Sequence, residues 1–173
     1  MFAPDMTNVI FVKQSAGRRS ICGILNTKEE NMSVVRTEII LINDGDATLA
    51  RRGRIKEDEI RQMTVPAVVD TGAWTMVINE EICEKLGLDD KGHGEATFAD
   101  GEEGTYKMAG PLEIRWKNRR FTCDALVLPN AKDILLGAIP LEGMDLTVNP
   151  KAEAEGFGRE LVGVHGDIVM HRV

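Results

Sequence analysis

From Met32 onward, hydrophobic and polar residues alternate with the period of two that marks a β-strand. Val35, Thr37, Ile39 and Leu41 alternate with Arg36, Glu38, Ile40 and Ile42, which predicts a strand half-buried at its start. Asn43-Asp44-Gly45-Asp46 reads as the turn that closes it. Residues 47–54 hold three arginines and few apolar anchors, so an exposed loop is expected there. Lys56 to Arg61 predicts one helical turn, acidic at its start and basic at its end. Thr64 to Val69 is the next strand, with Pro66 near its start, where a missing N–H is tolerated. It runs straight into Asp70-Thr71-Gly72-Ala73. A short strand over Thr75 to Ile78 follows. Asn79 then caps a helix over Glu80 to Leu86, with Glu80 and Glu81 in its first turn, Gly87 past its end, and Ile82 and Leu86 on its inner face.

Ala96 to Ala99 and Thr105 to Met108 read as the arms of a hairpin around Asp100-Gly101-Glu102-Glu103-Gly104. Leu112, Ile114 and Trp116 point one way, the chain turns at Lys117-Asn118-Arg119, and Phe121, Cys123, Ala125 and Val127 return. Asp133 to Gly137 is followed by a short helix up to Gly143, and Asp145 to Asn149 reads as a last core strand. Leu161 to Val164 and Ile168 to Met170 predict a terminal hairpin across His165-Gly166-Asp167. Residues 1–31 lack this periodicity. They read equally well as a loosely attached arm, even a translation start placed too far upstream, or as one extra hairpin. The expected organisation is an arm over 1–31, a domain over 32–150, and a tail over 151–173 that forms a hairpin or dimer-interface strands. Many short strands with few helices predict a mainly β, small barrel-like fold.

Composition narrows the function. The 173 residues suit one domain, and 43 % hydrophobic with 28 % charged residues suits a packed core. The longest apolar run, Ile39 to Ile42, is far short of the roughly 18 residues of a membrane span, so no membrane association is expected. The four residues Val9 to Val12, preceded by Asp5, are too few for the apolar region of a secretory signal. A net charge of −7, with basic residues clustered only in pairs such as Arg51-Arg52 and Arg119-Arg120, argues against a nucleic-acid partner. Cys22, Cys83 and Cys123 are odd in number and form no C-x-x-C, which points away from disulfides and zinc and towards a reducing, cytoplasmic setting. His93, His165 and His171 form no ligand-spaced pair, so no metal is expected.

The chemistry-bearing feature is Asp70-Thr71-Gly72. Taken alone, the tripeptide is short enough to occur by chance, and an aspartate ending a strand in an Asx-type turn is common. Its context is more specific. Val68-Val69 precedes it, Ala73 follows, and a strand, a helix, a glycine-bearing hairpin and Ile134-Leu135-Leu136-Gly137 come after in order. Over roughly residues 34–150 the chain resembles the retropepsin-like aspartic proteases, the single-lobe clan that includes the retroviral enzymes, and most closely the bacterial and archaeal members. The resemblance implies the small closed barrel-like retropepsin fold and an aspartic endopeptidase. Asp70 would be the catalytic residue, with Thr71, Gly72 and Ala73 supporting its loop. Asp100, Gly101 and Gly104 would belong to a flap that closes over substrate, and Leu135, Leu136 and Gly137 would pack under the catalytic loop. No metal or organic cofactor is implied.

Such an enzyme needs two aspartates around one water, one ionised to take a proton and one neutral to polarise the carbonyl. As in aspartic proteases generally, like charges about 3 Å apart cannot both ionise, so the pair shares a proton. The chain has one D-T-G, and Asp44-Gly45 and Asp100-Gly101 lack the apolar strand before them. The partner aspartate would therefore come from a second copy, in a homodimer with the site on its two-fold axis. Thr71 would hydrogen-bond across that axis. Two features depart from the retroviral pattern: an acidic flap tip with Asp100, Glu102 and Glu103, and Trp74 directly after the loop. The alternative is a catalytically inactive dimer of the same fold that binds peptides or acts as a scaffold. A weaker reading is a solitary β domain whose D-T-G is only a turn.

Overall fold

The computed structural model describes residues 10–11, 35–98, 101, 103–149 and 160–163. Its strands in chain order are β1 (Ile10–Phe11), β2 (Arg36–Asn43), β3 (Gln62–Val69), β4 (Met76–Ile78) and β5 (Asp89–Phe98). Then come β6 (Glu103–Trp116), β7 (Arg119–Val127), β8 (Ile134–Leu136), β9 (Leu146–Asn149) and β10 (Glu160–Gly163). The helices are α1 (Asp44–Arg51), α2 (Glu80–Leu86) and α3 (Ala138–Gly143), with a 3-10 turn over Glu57–Glu59. The mainly β barrel expected from the sequence is met.

Strand pairing runs β6-β2-β3-β8-β4-β7, and β7 returns to pair with β6, so six strands close into a ring. Closure leaves these strands no free edge along the ring. Beyond it, β5 pairs with β6 and β1 with β5, forming a ribbon that leaves the barrel. Residues spaced by two on each ring strand fill the interior. Ile39 and Leu41, Met76 and Ile78, and Leu112 and Ile114 are all at most 1 % exposed. Asn79 caps α2 by accepting the Ile82 N–H at 2.9 Å, and Gly87 ends it in the left-handed conformation at φ +54°. Ile82 and Leu86 face inward as expected.

The segment after β2 departs from the sequence reading. Asn43 to Asp46 does not form a closing turn, and of the exposed loop expected over residues 47–54 only 52–54 are one: α1 spans Asp44–Arg51 and buries Asp46 and Ala47. The turn-forming chemistry of Asn43 is used as a helix cap, its Oδ1 accepting the Asp46 N–H at 3.1 Å. Its Nδ2 donates to the Leu86 and Gly87 carbonyls at 2.9 and 3.0 Å, which ties α1 to the end of α2. The Asp46 carboxylate in turn accepts from Arg61 Nε and Nη2 at 2.7 and 2.8 Å. That hydrogen bond pulls the Asp46 pKa below the usual carboxylate value.

Thr105 to Met108 and Leu112 to Trp116, read as separate stretches, are one 14-residue strand, β6, that continues through Gly110-Pro111. Its register against β7 shifts between Ala109 and Leu112, and this irregularity accommodates a proline that cannot donate to the ladder. The last core strand is only partly as expected. Leu146 of β9 is buried, but β9 pairs with β10 in a separate two-stranded sheet, with Leu161 opposite Val148. Residues 160–163 pair with β9, and residues 168–170, the other arm of the predicted terminal hairpin, lie outside the described residues. Within residues 1–31 the described pair Ile10–Phe11 lies against Phe98 and Thr97 of β5.

Candidate active site

Asp70 stands immediately beyond the end of β3, half-buried at the rim of the barrel. Its N–H donates to the Leu136 carbonyl at 3.1 Å, and its own carbonyl accepts the Ala73 N–H at 3.2 Å. The carboxylate oxygen Oδ1 accepts the Gly72 N–H at 2.8 Å. This is an Asx turn, and its effect is to aim one backbone donor at the carboxylate. Thr71 is exposed at the turn's outer corner, Gly72 is half-buried, and Ala73 is fully buried.

The loop is held by Ile134 to Gly137. Strand β8 lies between β3 and β4 and runs parallel to β3, with Val68 beside Leu135 and Val69 beside Leu136. Gly137 then crosses under the loop. A Cβ there would stand 2.2 Å from the Thr75 carbonyl oxygen and 2.7 Å from that of Ala73, so only glycine fits. Two further bonds lock the crossing: Ala138 N–H to the Ala73 carbonyl at 2.8 Å, and Ile139 N–H to the Trp74 carbonyl at 3.0 Å. Trp74 is half-buried. Thr75 is buried and donates its hydroxyl to the Asp124 carbonyl at 3.1 Å.

The two leucines part company. Leu136 joins the barrel interior with Ala67 and Ile134. Leu135 points to the opposite face and joins Ala73, Val77, Ala96, Leu126 and Leu128 in a second apolar cluster. The register explains it, because Leu135 sits opposite Val77, and Val77 beside Leu126, on one continuous face. Val68, Tyr106 and Met108 pack at the margin of this cluster.

The β5–β6 hairpin carries the glycines expected at a flap. Ala96 pairs with Gly104 and Thr97 with Glu103 across it. Gly101 is exposed at φ +85° in the tip, while Asp100 lies outside the described residues. The Tyr106 ring covers Gly104 so closely that a Cβ there would meet it at 2.6 Å. Ala96, Tyr106 and Met108 of the hairpin therefore share one apolar cluster with Ala73 of the Asp70 loop and Leu135 beneath it. The sequence reading did not single out Tyr106, Met108, Val68 or Val77 for this surface. The signal was there in the alternation of Tyr106 with Lys107 and Met108, but its direction depended on strand pairing. At one side of this face, Arg36 of β2, opposite Val68, donates to Asp133 at 2.7 Å, and that bond raises the pKa of the guanidinium.

The chain matches the model of the family described as gag-polyprotein putative aspartyl protease over residues 57–142. That span contains the Asp70 loop, α2, the β5–β6 hairpin and Gly137. No curated protein matches the chain. With a six-strand ring, an Asp-Thr-Gly turn at its rim and a family match that encloses both turn and crossing strand, the chain belongs to the retropepsin-like aspartyl proteases.

Proposed function

We propose that the protein is an aspartic endopeptidase, and that it works as a homodimer in which each subunit supplies one Asp70. The observation that carries this reading is the Asp70 carboxylate, held by the Gly72 N–H at 2.8 Å in a loop that Gly137 pins from below. One such carboxylate lacks the second group that hydrolysis needs, and a two-fold axis beside the exposed Thr71 supplies it. The ionised aspartate takes a proton from water as the water oxygen attacks the peptide carbonyl. The neutral aspartate donates a hydrogen bond to that carbonyl as it becomes an oxyanion. When the tetrahedral intermediate collapses, the C–N bond breaks and a proton passes to the leaving nitrogen, which restores the shared-proton pair.

The β5–β6 hairpin closes over the bound peptide, and the substrates are peptides with apolar side chains at the scissile bond. The support is the half-buried Val68, two residues before Asp70, at the margin of the apolar cluster of Val77 and Leu135. The cytoplasm is the proposed location, on the odd number of cysteines. The test pairs sedimentation with cleavage. At micromolar concentration the protein should sediment at about twice its chain mass, and peptide libraries should be cut by wild type and not by Asp70→Asn. A monomer that still cleaves would overturn the shared site. Equal turnover by Asp70→Asn would remove Asp70 as the catalyst. A dimer that binds peptide without cutting it would move the assignment to a peptide-binding module.

A further inference from the structure

At the end of the barrel opposite Asp70, strand register builds a row of side chains on the outer surface. Arg120 of β7 pairs with Arg115 of β6, Arg115 with Ile40 of β2, and Ile40 with Thr64 of β3. All four are exposed, and Ile40, at 39 %, is one of the large hydrophobic side chains left open among the described residues. The next row, which contains Glu113 and Ile42, is covered by α1 and is buried to 3 and 2 % exposure. Between α1, the 3-10 turn and the open row lies a groove of about 410 Å³. Its floor is Ile42, Ala47, Ala50 and Ile60. Arg51, Arg115 and Arg120 stand around it, with Glu57.

The charges are arranged at a cost. Like charges directly opposite on neighbouring strands repel, and Arg115 and Arg120 are such a pair. Buried Glu113 neutralises Arg115 through its Nε, and Arg51 reaches Asp44 at 3.5 Å. Arg120 has no acidic partner within ion-pair distance among the described residues. On a chain of net charge −7, this places guanidinium groups around an aliphatic floor. Groove and Asp70 are separate: Gln62 lines one and Val69 leads to the other, and a strand of that length spans about 23 Å.

We propose that this groove docks an acidic polypeptide segment that carries an aliphatic side chain. Guanidinium forks match carboxylates in geometry, and Arg120 and Arg51 present them at the rim. The floor takes the aliphatic group, which inorganic phosphate or a nucleic-acid backbone cannot provide. The size suits an anchor of one or two side chains.

The test is fluorescence polarisation of the full chain with a fluorescein-labelled acidic peptide carrying one leucine. Wild type should bind in a salt-dependent manner, and Arg120→Glu and Arg51→Glu should each weaken binding about tenfold. Both residues are exposed, so the folded state of each variant is checked by circular dichroism. Replacing the peptide's leucine by serine should also weaken binding, and Asp70→Asn should bind as wild type does. No binding by wild type, or binding by both arginine variants as tight as that of wild type, would overturn the proposal. So would loss of binding in Asp70→Asn, which would put the peptide in the catalytic cleft. Equal affinity for inorganic tripolyphosphate would assign the groove to phosphate and equally overturn it.

Discussion

Gly137 passes beneath the Asp70 loop with the Thr75 carbonyl oxygen 2.2 Å from where its Cβ would be. The atoms in the way are backbone, and backbone held by the Ala138 and Ile139 hydrogen bonds cannot swing aside as a side chain would. The glycine therefore sets the distance between β8 and the turn that carries the carboxylate.

Gly137→Ala should lower stability by on the order of 3 kcal/mol, the upper part of the overpacking range, because its methyl group meets main chain on two sides. Urea unfolding against wild type measures it. An alanine variant of wild-type stability would show that the crossing is looser than this geometry.

The Asp46–Arg61 pair predicts an acid limb of stability. Arg61 hydrogen bonds depress the Asp46 pKa, so the folded state prefers the ionised form more than the unfolded chain does. That stabilisation is present above the unfolded value, near pH 4, and disappears as pH falls through the folded value. Asp46→Asn should cost about 1–3 kcal/mol at pH 7, as expected for a hydrogen bond to a charged group. The gap from wild type should narrow below about pH 4. Denaturant midpoints from pH 2 to 7 would show it, and a constant gap would exclude the linkage.

Rate against pH should be bell-shaped, with its optimum at acid to mildly acid pH. In the proposed dimer the upper limb would mark loss of the proton shared by the two Asp70 residues and the lower limb gain of a second one, so both would belong to the dyad. Initial rates on an apolar peptide between pH 3 and 8 give the profile. A single plateau extending to pH 8 would contradict a shared proton.

Both described cysteines should resist alkylation in the folded protein. Burial pushes the Cys123 thiol up to about 11 and raises that of Cys83 as well, so neither is a thiolate at neutral pH. Iodoacetamide at pH 7.5, followed by peptide mass spectrometry, should label them only after unfolding. Prompt labelling of Cys123 in the native protein would show that β7 opens readily.

Removal of residues 1–31 should leave the ring folded, because its first strand begins at Arg36 and β1 pairs with β5, outside the ring. Circular dichroism and urea unfolding of the shortened chain test this. Loss of the cooperative transition would make the segment part of the core.

Features that depend on neighbours within a few positions were legible in the sequence. Asn79 and Gly87 bound α2 because a cap bonds three residues away and a left-handed end needs no partner. Asp70-Thr71-Gly72 was legible because an Asx turn closes on its own backbone, and Lys117-Asn118 because a hairpin turn is equally local. Tertiary structure decided whatever depended on distant chain. Asn43 capped α1 rather than ending β2 in a turn, since its second hydrogen-bonding group found the carbonyls of Leu86 and Gly87. Leu135 and Leu136 look alike in sequence, yet pairing with β3 and β4 sends one into the apolar cluster with Ala73 and Val77 and the other into the barrel. The pairing of Arg115 with Arg120 arises from β6–β7 register, and the groove beside it forms only when α1 folds back over the sheet. Alternation along a strand says that two faces differ. Which face meets the core, and what stands on the next strand, is set by closure of the ring.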